Sequence, residues 1–262
     1  MPDYAILGAT GQIGSSILSL LKASPSTPHI NLFVRSKSKL ASISPDYISD
    51  PNISIYESTI SDTTTLSQCL AGTKAAFLAV AVTENIPGCS IALDTAHAVV
   101  AALKILKDAD DKFVPPRLIV LSSASVDPKF WTEVPAIIHS VLYASNSNIY
   151  TDLERAEKFL RSQSDWIQAT FVMPGGIMHG PQMGHELSTK EQQTFVTFLD
   201  VAAAMIEVAD VGKERWVGEN VSLVLKGGQR AKTAWWAPAV LPVVLGKGLV
   251  VHFAPWMYNW LP

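Results

Sequence analysis

Hydrophobic and polar positions follow two different spacings along the chain, and their alternation predicts an α/β fold. Short apolar runs predict buried strands at 3–8, 29–34, 53–57, 75–82, 117–123, 166–173 and 220–225. Between them, apolar residues spaced three and four apart predict helices at 12–23, 63–70, 90–109, 131–145, 149–163 and 198–209. Strands that alternate with helices form a parallel sheet whose right-handed crossovers cover both faces. We therefore expect residues 1–262 to form one domain around a doubly wound parallel sheet.

The regular alternation of strands and helices stops in the last third of the chain. Residues 174–198 and 228–262 depart from it. In sheets of this kind, ligands bind beyond the carboxyl ends of the strands, where the strand order reverses. We expect the two segments to build a small C-terminal substrate lobe or lid at that edge.

The segment from Ala234 to Leu261 is unusually apolar, because Lys247 is its only charged side chain. It is long enough to span a bilayer, but its prolines and glycines interrupt a continuous helix. Three interpretations stay open: a core and pocket wall, a hydrophobic lid or dimer surface, and contact with a membrane. We expect the segment to fold onto the domain and not to contact a membrane, and a homodimer formed through it is an open alternative. The tryptophans that flank or end the segment are Trp235, Trp236, Trp256 and Trp260.

A glycine-rich turn lies between the first predicted strand and the first predicted helix, in the order GATGQIG. In such a turn the first glycine permits the tight bend, the second admits a pyrophosphate, and the third lets helix and strand pack closely. The helix N-terminus adds free N–H groups and a positive dipole end. The turn therefore predicts a dinucleotide site. Its predicted cofactor contacts are Gly8, Thr10, Gly11, Gln12, Ile13 and Gly14.

Composition excludes several other classes of site. The net charge is −3 and no run of basic residues is present, so we expect no nucleic-acid partner. Cys69 and Cys89 form no CxxC pair, which argues against a disulfide framework or a structural zinc site. Histidines and carboxylates lack metal-ligand spacing on any one predicted helix, so no metal is expected. The chain opens directly on a strand without a signal sequence, and we expect a cytoplasmic location.

Short motifs elsewhere in the chain suggest a family. Besides the GxxGxxG turn, they are the segments 34–40, 174–179, 184–188 and 253–256, which read VRSKSKL, PGGIMH, GHELS and FAPW. With them the chain resembles an atypical, NmrA-like member of the short-chain dehydrogenase/reductase superfamily. More narrowly, it is similar to fungal averufin-oxidase-like oxidoreductases that tailor aromatic polyketides. The resemblance implies a Rossmann-type fold and an NAD(P)-dependent oxidoreductase that acts on a small hydrophobic aromatic carbonyl or quinone.

The end of the second strand indicates which nicotinamide cofactor is used. NAD enzymes place a carboxylate there for the ribose 2′-hydroxyl, whereas this chain has Arg35, followed by Lys37 and Lys39. A guanidinium pairs well with a 2′-phosphate. We therefore expect NADP(H) to bind in preference to NAD(H). A solvated basic loop is the alternative interpretation of these residues.

The resemblance implies further cofactor contacts at the ends of other strands. Asp62 matches the family position beside the adenine amine, although an Asp before a helix is equally an N-cap. A small-residue segment after strand four is expected to line the adenosine and inner ribose. Ser122 is expected to lie beside the cofactor, and a glycine segment after strand six is expected at the nicotinamide carboxamide. These two segments are Ala79, Val80 and Ala81, and Pro174, Gly175 and Gly176.

The catalytic pattern of the family is incomplete in this chain. The resemblance implies a Ser after strand five, which Ser123 supplies, and a Tyr with a Lys four residues later, where Tyr150 is followed by Glu154. Without the lysine, a tyrosine keeps a pKa near ~10 and is a poor proton donor at neutral pH. His179 and His185, in a loop expected to face the nicotinamide, are therefore candidate acid–base groups.

Other polar residues of these segments are expected to have no catalytic role. Tyr143 is no better than Tyr150, because Ser147 stands four residues after it. We expect Glu157 and Lys158 on the helix surface, and His97 and His139 as structural residues.

Three functions remain compatible with these residues. The first is an NADPH-dependent reductase of a small aromatic substrate. The second is a non-redox isomerase, dehydratase or cyclase on the same fold, using His185, His179 or Tyr150. The third is an NmrA-like sensor that binds NADP(H) and a protein partner without turnover.

Overall fold

The structure is a computed structural model that describes residues 3–131, 135–212, 215–232 and 237–261. Its strands are β1 (Tyr4–Leu7), β2 (Ile30–Val34), β3 (Ile53–Glu57), β4 (Ala75–Leu78), β5 (Arg117–Leu121), β6 (Ala169–Val172), β7 (Ile177–Met178), β8 (His185–Ser188), β9 (Val196–Thr197) and β10 (Asn220–Leu225). Its helices are α1 (Gln12–Lys22), α2 (Lys37–Ile43), α3 (Asp46–Ser49), α4 (Thr63–Leu70), α5 (Ile91–Ala109), α6 (Ala136–Ser145), α7 (Ser147–Arg161), α8 (Phe198–Asp210) and α9 (Ala237–Phe253).

Eight of these strands form the main sheet, in the order β3-β2-β1-β4-β5-β6-β10-β8. The pairs are parallel except the last, in which β8 runs antiparallel to β10. Tyr4 of β1 is in register with Ile30 on one side and Ala75 on the other. The strand order therefore reverses at β1, between β2 and β4, where ligands bind in sheets of this kind. The predicted doubly wound sheet is confirmed.

Helices cover both faces of this sheet, which explains why its strands read as uninterrupted apolar runs. On one face, α1 and α8 pack on residues such as Ile6, while α4, α5 and α7 cover Leu7 on the other. All five residues of β2 are buried. Each predicted strand and helix has a counterpart in the described residues, although residues 132–134 of the predicted helix 131–145 lie outside them.

Part of the segment predicted as a substrate lobe belongs to the sheet instead. Within 174–198, β8 extends the main sheet, and β7 pairs with β9 in a separate two-stranded sheet. The antiparallel pair aligns His185 with Leu225 and Ser188 with Ser222. Pairing with β10 therefore fixes His185–Ser188 at the sheet edge, and a lobe built by the rest of 174–198 stays a prediction.

The C-terminal segment folds as α9, which packs against α6. A Cβ on Gly248 would overlap the carbonyl oxygen of Ser145, so the glycine permits the two helix backbones to touch. Asn85 Nδ2 donates to the Gly248 carbonyl at 3.2 Å, and His252 Nδ1 lies 2.9 Å from Ser147 Oγ. Among the described residues, no helix has the length and apolar character needed to cross a membrane. Trp235 and Trp236 lie outside the described residues.

The position of α7 is fixed by a buried carboxylate. Asp152 accepts hydrogen bonds from the backbone N–H groups of Ala92 at 2.8 Å and Leu93 at 3.0 Å. These donors lie in the first turn of α5, where helix N–H groups have no partner within the helix. A side chain of α7 thus caps α5 and holds the two helices together on one face of the sheet.

Candidate cofactor and active site

The glycine turn connects β1 to α1 and touches the end of β4. Gly8 has φ +91°, a conformation that favours glycine, and a Cβ there would overlap the carbonyl oxygen of Ala79. A Cβ on Gly14 would overlap the carbonyl oxygen of Gly8, so this glycine lets α1 start directly against the turn. Gly11 closes the turn, because its N–H donates to the Gly8 carbonyl at 2.9 Å. The cradle expected for a dinucleotide is therefore present.

The first turn of α1 faces this cradle. Gly11 stands at the N-cap in an extended conformation, and no side chain in the described part of the chain caps the helix. Thr10 is half-buried and Gln12 is exposed, whereas Ile13 is buried in the core. Ile13 can therefore contribute only its backbone to a ligand. Uncapped N–H groups and the positive end of the helix dipole suit a pyrophosphate at this point.

The end of β2 presents the three predicted basic residues to solvent. Arg35, Lys37 and Lys39 are all exposed. The backbone N–H of Lys37 donates to Glu57 Oε1 at 2.8 Å, and that of Lys39 donates to Ser36 Oγ at 3.2 Å. Two backbone N–H groups at the start of α2 are therefore already paired with side-chain acceptors of the protein. The side chain of Arg35 makes no hydrogen bond or ion pair with the described residues, so its guanidinium is available to a phosphate.

Asp62 is the N-cap of α4. Its carboxylate accepts from the Thr65 backbone N–H at 3.0 Å, from Thr65 Oγ1 at 2.7 Å and from Ser58 Oγ at 2.8 Å. These hydrogen bonds, led by the one from the Thr65 backbone, lower the pKa of Asp62 to about 2. The capping interpretation is confirmed, and contact with adenine stays a prediction.

The ends of β4, β5 and β6 lie side by side at the carboxyl edge of the sheet. Ala79 directly follows β4, and its N–H donates to the Leu7 carbonyl at 3.0 Å. The N–H of Ser122, after β5, donates to Val172 of β6 at 2.8 Å. Val80 and Ala81 follow Ala79 in the loop after β4, with Val80 half-buried and Ala81 exposed.

The glycine segment after β6 is covered by a later part of the chain. Pro174 is buried, and its carbonyl accepts from the Ala124 N–H at 2.9 Å. A Cβ on Gly175 would overlap the side-chain oxygen of Gln192. A Cβ on Gly176 would lie 3.4 Å from Thr194. The segment around 192–194 therefore packs directly against these glycines, and contact of Pro174–Gly176 with the nicotinamide carboxamide stays a prediction.

Glu157 is buried, contrary to the prediction that it lies on the helix surface. Its residue exposure is 9 %, and Ser122 Oγ donates to its Oε1 at 2.5 Å. Burial raises the pKa of Glu157 to about 7, against the opposing effects of Ser122 and Arg161. The prediction failed because the helix presents this residue to β5 and α5, on the same face as Leu153 and Leu160.

Ser123 forms a local cap. Its Oγ accepts from the Ser125 backbone N–H at 3.2 Å at the start of a 3₁₀ turn that spans Ala124–Val126. Its predicted catalytic role is not tested by this contact, but the serine that meets α7 is Ser122.

Tyr150 lies in a cluster of aromatic residues at the start of α7. Its ring centroid is 5.4 Å from that of Tyr143, whose hydroxyl donates to Glu154 Oε1 at 2.8 Å. Burial and the Glu154 contact raise the pKa of Tyr143 to about 12. The glutamate that replaces the family's lysine therefore makes Tyr143 a poorer acid. Lys158 is exposed, as predicted.

An apolar groove opens next to this cluster, between α6 and α9. Its volume is about 740 Å³, and its walls include His139, Tyr143, Leu249 and Phe253. His139 Nε2 lies 3.2 Å from the Ser125 carbonyl oxygen, which links the groove to the segment after β5. The sequence suggested only a structural role for His139. Its four-residue spacing from Tyr143 on one helix was the signal that the two face the same groove.

The two loop histidines are separated in the structure. His179 is exposed and its ring contacts that of Phe198 at the start of α8 in a tilted arrangement, with ring centroids 4.8 Å apart. His185 Nε2 contacts Glu207 Oε2 at 3.0 Å near the other end of α8.

His185 therefore lies away from the carboxyl edge of the sheet, where its loop was expected to face the nicotinamide. The hollow that it lines also includes Tyr4, the first residue of β1, and Ser24, which follows α1. The glycine turn lies at the opposite ends of both elements. The antiparallel pairing of β8 carries His185 to the outer side of α8, and the sequence contains no signal for that pairing.

Comparisons with known proteins agree with this geometry. The sequence profile of NAD(P)H-binding proteins matches residues 8–211. The chain is 42% identical over 264 residues to "Oxidoreductase stcQ" of Emericella nidulans, which covers 100% of this chain and 94% of the relative. It is also 42% identical over 260 residues to "Oxidoreductase aflX" of Aspergillus parasiticus, covering 99% of this chain and 95% of the relative.

Solved structures show the same fold. A short-chain dehydrogenase/reductase from Veillonella parvula, solved in complex with NADP, superposes with a TM-score of 0.68 at 19% identity. The match covers 90% of this chain and 100% of that one. The expected Rossmann-type fold and the resemblance to short-chain dehydrogenases/reductases are confirmed. Because the profile match begins at the first glycine of the turn and reaches past α8, the chain belongs to the NAD(P)H-binding family and is an NAD(P)H-dependent oxidoreductase.

Proposed function

We propose that this enzyme uses NADP(H) to reduce a carbonyl or quinone group of a small, hydrophobic, polyketide-type aromatic molecule. The observation that carries the proposal is the groove of about 740 Å³ between α6 and α9, next to Tyr143 and its neighbour Tyr150. Aromatic and aliphatic walls with few polar groups suit a flat apolar ligand. The similarity to fungal oxidoreductases supports the same reaction class.

The cofactor is expected to follow the carboxyl edge of the sheet. Backbone N–H groups at the start of α1 receive the pyrophosphate, and Ala79–Ala81 and Pro174–Gly176 line the two ends of the dinucleotide. Arg35 supports NADP(H) over NAD(H), because an unpaired guanidinium binds a 2′-phosphate through charge-assisted hydrogen bonds. When bound, the reduced nicotinamide supplies a hydride to the carbonyl carbon.

The chain's own task is then to provide a proton to the carbonyl oxygen. Tyr143 is poorly suited, because its hydroxyl is engaged with Glu154 and its pKa is raised to about 12. Tyr150 lies against Tyr143 at the entrance of α7 and is the residue that we assign to hydrogen bonding with that oxygen. His139 precedes Tyr143 by about one helical turn on α6, with ring centroids 6.0 Å apart, and is a second side chain in this groove that can exchange a proton.

A panel of hydroxylated anthraquinones, offered with NADPH or NADH, tests this proposal. We expect substrate-dependent loss of the reduced nicotinamide absorbance, with one product equivalent formed per NADPH oxidised. Tyr150→Phe should lower turnover by about 10². The matched control Tyr56→Phe, on β3, should change it little.

The other outcomes distinguish the alternatives. Product formation without loss of NADPH would indicate a non-redox isomerase, dehydratase or cyclase. Tight NADPH binding without turnover of any quinone or carbonyl would instead indicate a cofactor sensor. Either result would overturn the proposed reduction.

A further inference from the structure

A buried hydroxyl–carboxyl pair joins the end of β5 to α7, the helix that carries Tyr150. Ser122 directly follows β5 at the carboxyl edge of the sheet, and Glu157 faces it from α7. Glu157 stands two helical turns after Tyr150, so the two share one face of α7. Both members of the pair are buried, with residue exposures of 7 % for Ser122 and 9 % for Glu157.

The charge of Glu157 is weakly compensated. Its nearest cation is Arg161, whose Nη2 lies 3.9 Å from Oε2 at the outer end of the pair. Asp127, from the segment after β5, and Glu154, on α7 itself, add negative charge. From α5, only the neutral Thr95 is directed at the same space. These surroundings favour the neutral carboxyl group over the carboxylate.

A small cavity adjoins the pair on the α5 side. Its volume is about 20 Å³, and Thr95, Ser122 and Glu157 line it together with apolar residues. Thr95 is 2 % exposed, and its hydroxyl has no hydrogen-bond partner among the described residues. A space of this size with several polar groups accommodates one water molecule. A water in this cavity would be within reach of Glu157, Ser122 and Thr95 and could exchange a proton with the carboxyl group.

We infer that Glu157 is a positioning residue whose protonation decides where the Ser122 hydroxyl proton points. A carboxylate can only accept, so ionised Glu157 holds the Ser122 O–H toward the interior. A neutral carboxyl group can donate to Ser122 Oγ, which releases the Ser122 O–H to point at an oxygen bound at the sheet edge. No covalent bond forms or breaks in this switch apart from the protonation of Glu157.

The inference rests on the proposed function, since the oxygen in question is that of the substrate carbonyl. During hydride transfer, negative charge develops on this oxygen. Donors to developing oxyanions typically raise the reaction rate by about 10², and we expect the same from a hydroxyl aimed at this oxygen. Reduction should therefore be fastest while Glu157 is neutral and should decline as it ionises.

The pH profile of kcat in four proteins tests the inference. The wild type should lose activity on the alkaline side. Glu157→Gln should keep at least about a third of the wild-type maximum and lose the alkaline decline, because its amide N–H donates to Ser122 at every pH. Ser122→Ala should be slower by about 10² and show no such decline. Glu219→Gln, an exposed control, should behave as the wild type.

Infrared difference spectra of the cofactor-free protein provide a readout that does not depend on activity. Between about pH 6 and about pH 8 the wild type should lose a protonated-carboxyl band, because burial raises the pKa of Glu157 to about 7. Glu157→Gln should lack this change, and Ser122→Ala should shift the band.

Two results would overturn the inference: an unchanged alkaline decline in Glu157→Gln, or no carboxyl band assignable to Glu157. Failure of the proposed function has a different signature. In that case no protein of the set oxidises NADPH with a carbonyl or quinone, while the infrared band still reports whether Glu157 takes up a proton beside Ser122.

Discussion

Replacing Glu157 by Gln should change how the stability of the protein depends on pH. Burial raises the pKa of Glu157 from an ordinary value of 4.5 to about 7. Below about pH 4.5 Glu157 is protonated in both the folded and the unfolded chain, so it does not lower the free energy of unfolding. Between about pH 4.5 and about pH 7 Glu157 ionises only in the unfolded chain, so the free energy of unfolding falls as pH rises. A difference of roughly 2.5 pKa units at about 1.4 kcal/mol each gives about 3 kcal/mol.

Urea unfolding followed at a series of pH values measures this effect. We expect Glu157→Gln and the wild type to be nearly equal at about pH 4. Near pH 8 the variant should be more stable by about 3 kcal/mol, because the amide carries no charge to bury. Glu219→Gln, whose side chain is exposed, should follow the wild type throughout. Parallel curves for wild type and Glu157→Gln would refute the account of this carboxyl group.

Three further substitutions test separate parts of the structure. Arg35→Ala should weaken NADPH binding by about 1–3 kcal/mol in titration calorimetry and leave NADH nearly unchanged; equal losses would contradict the assignment of the 2′-phosphate site. His185→Ala should keep turnover within about threefold, because the ring contacts Glu207 away from the glycine turn, whereas a loss of about 10² would restore a catalytic role. Asp152→Ala should lower the free energy of unfolding by about 1–3 kcal/mol, since two N–H groups of α5 lose their acceptor; no change in urea unfolding would refute this.

The sheet could be predicted because its strands are buried on both faces and need continuous apolar runs. The antiparallel edge strand β8 could not. Its sequence HELS contains one apolar residue, Leu187, and follows a glycine- and proline-rich region, so only pairing with β10 makes it a strand. Helix α9 was also unexpected, since Pro242 lies inside it. Contact with α6 at Gly248 accounts for a helix that local propensity opposes.

The candidate site also has one part that the sequence predicted and another that it did not. The glycine turn and the cap at Asp62 depend on neighbours close in sequence, and their short motifs predicted them. Ser122 and Glu157 are 35 positions apart, so their contact depends on how α7 lies against β5. One local signal did exist: Glu157 has the spacing of the buried residues Leu153 and Leu160 and therefore belongs to the apolar face of the helix.

One substitution tests directly whether the cofactor binds at the glycine turn. Gly11 occupies the N-cap of α1 with φ −88° and ψ 172°, a conformation open to any residue, and a Cβ there would lie 3.3 Å from the Gly8 carbonyl oxygen, a contact that a small shift relieves. An aspartate is among the preferred residues at this position and caps the first turn of the helix. Its carboxylate would also occupy the N–H groups intended for the pyrophosphate and repel its charge.

The deciding measurement is titration calorimetry of NADPH and NADH against wild type, Gly11→Asp and the surface control Gly212→Asp. A Cβ on Gly212 meets no atom of the described residues within 4 Å, so this control adds the same charge without a clash with them. We predict that Gly11→Asp melts no lower than the wild type yet binds NADPH at least about tenfold more weakly, while Gly212→Asp binds normally. Wild-type affinity in Gly11→Asp would contradict the assignment of the cofactor to this turn.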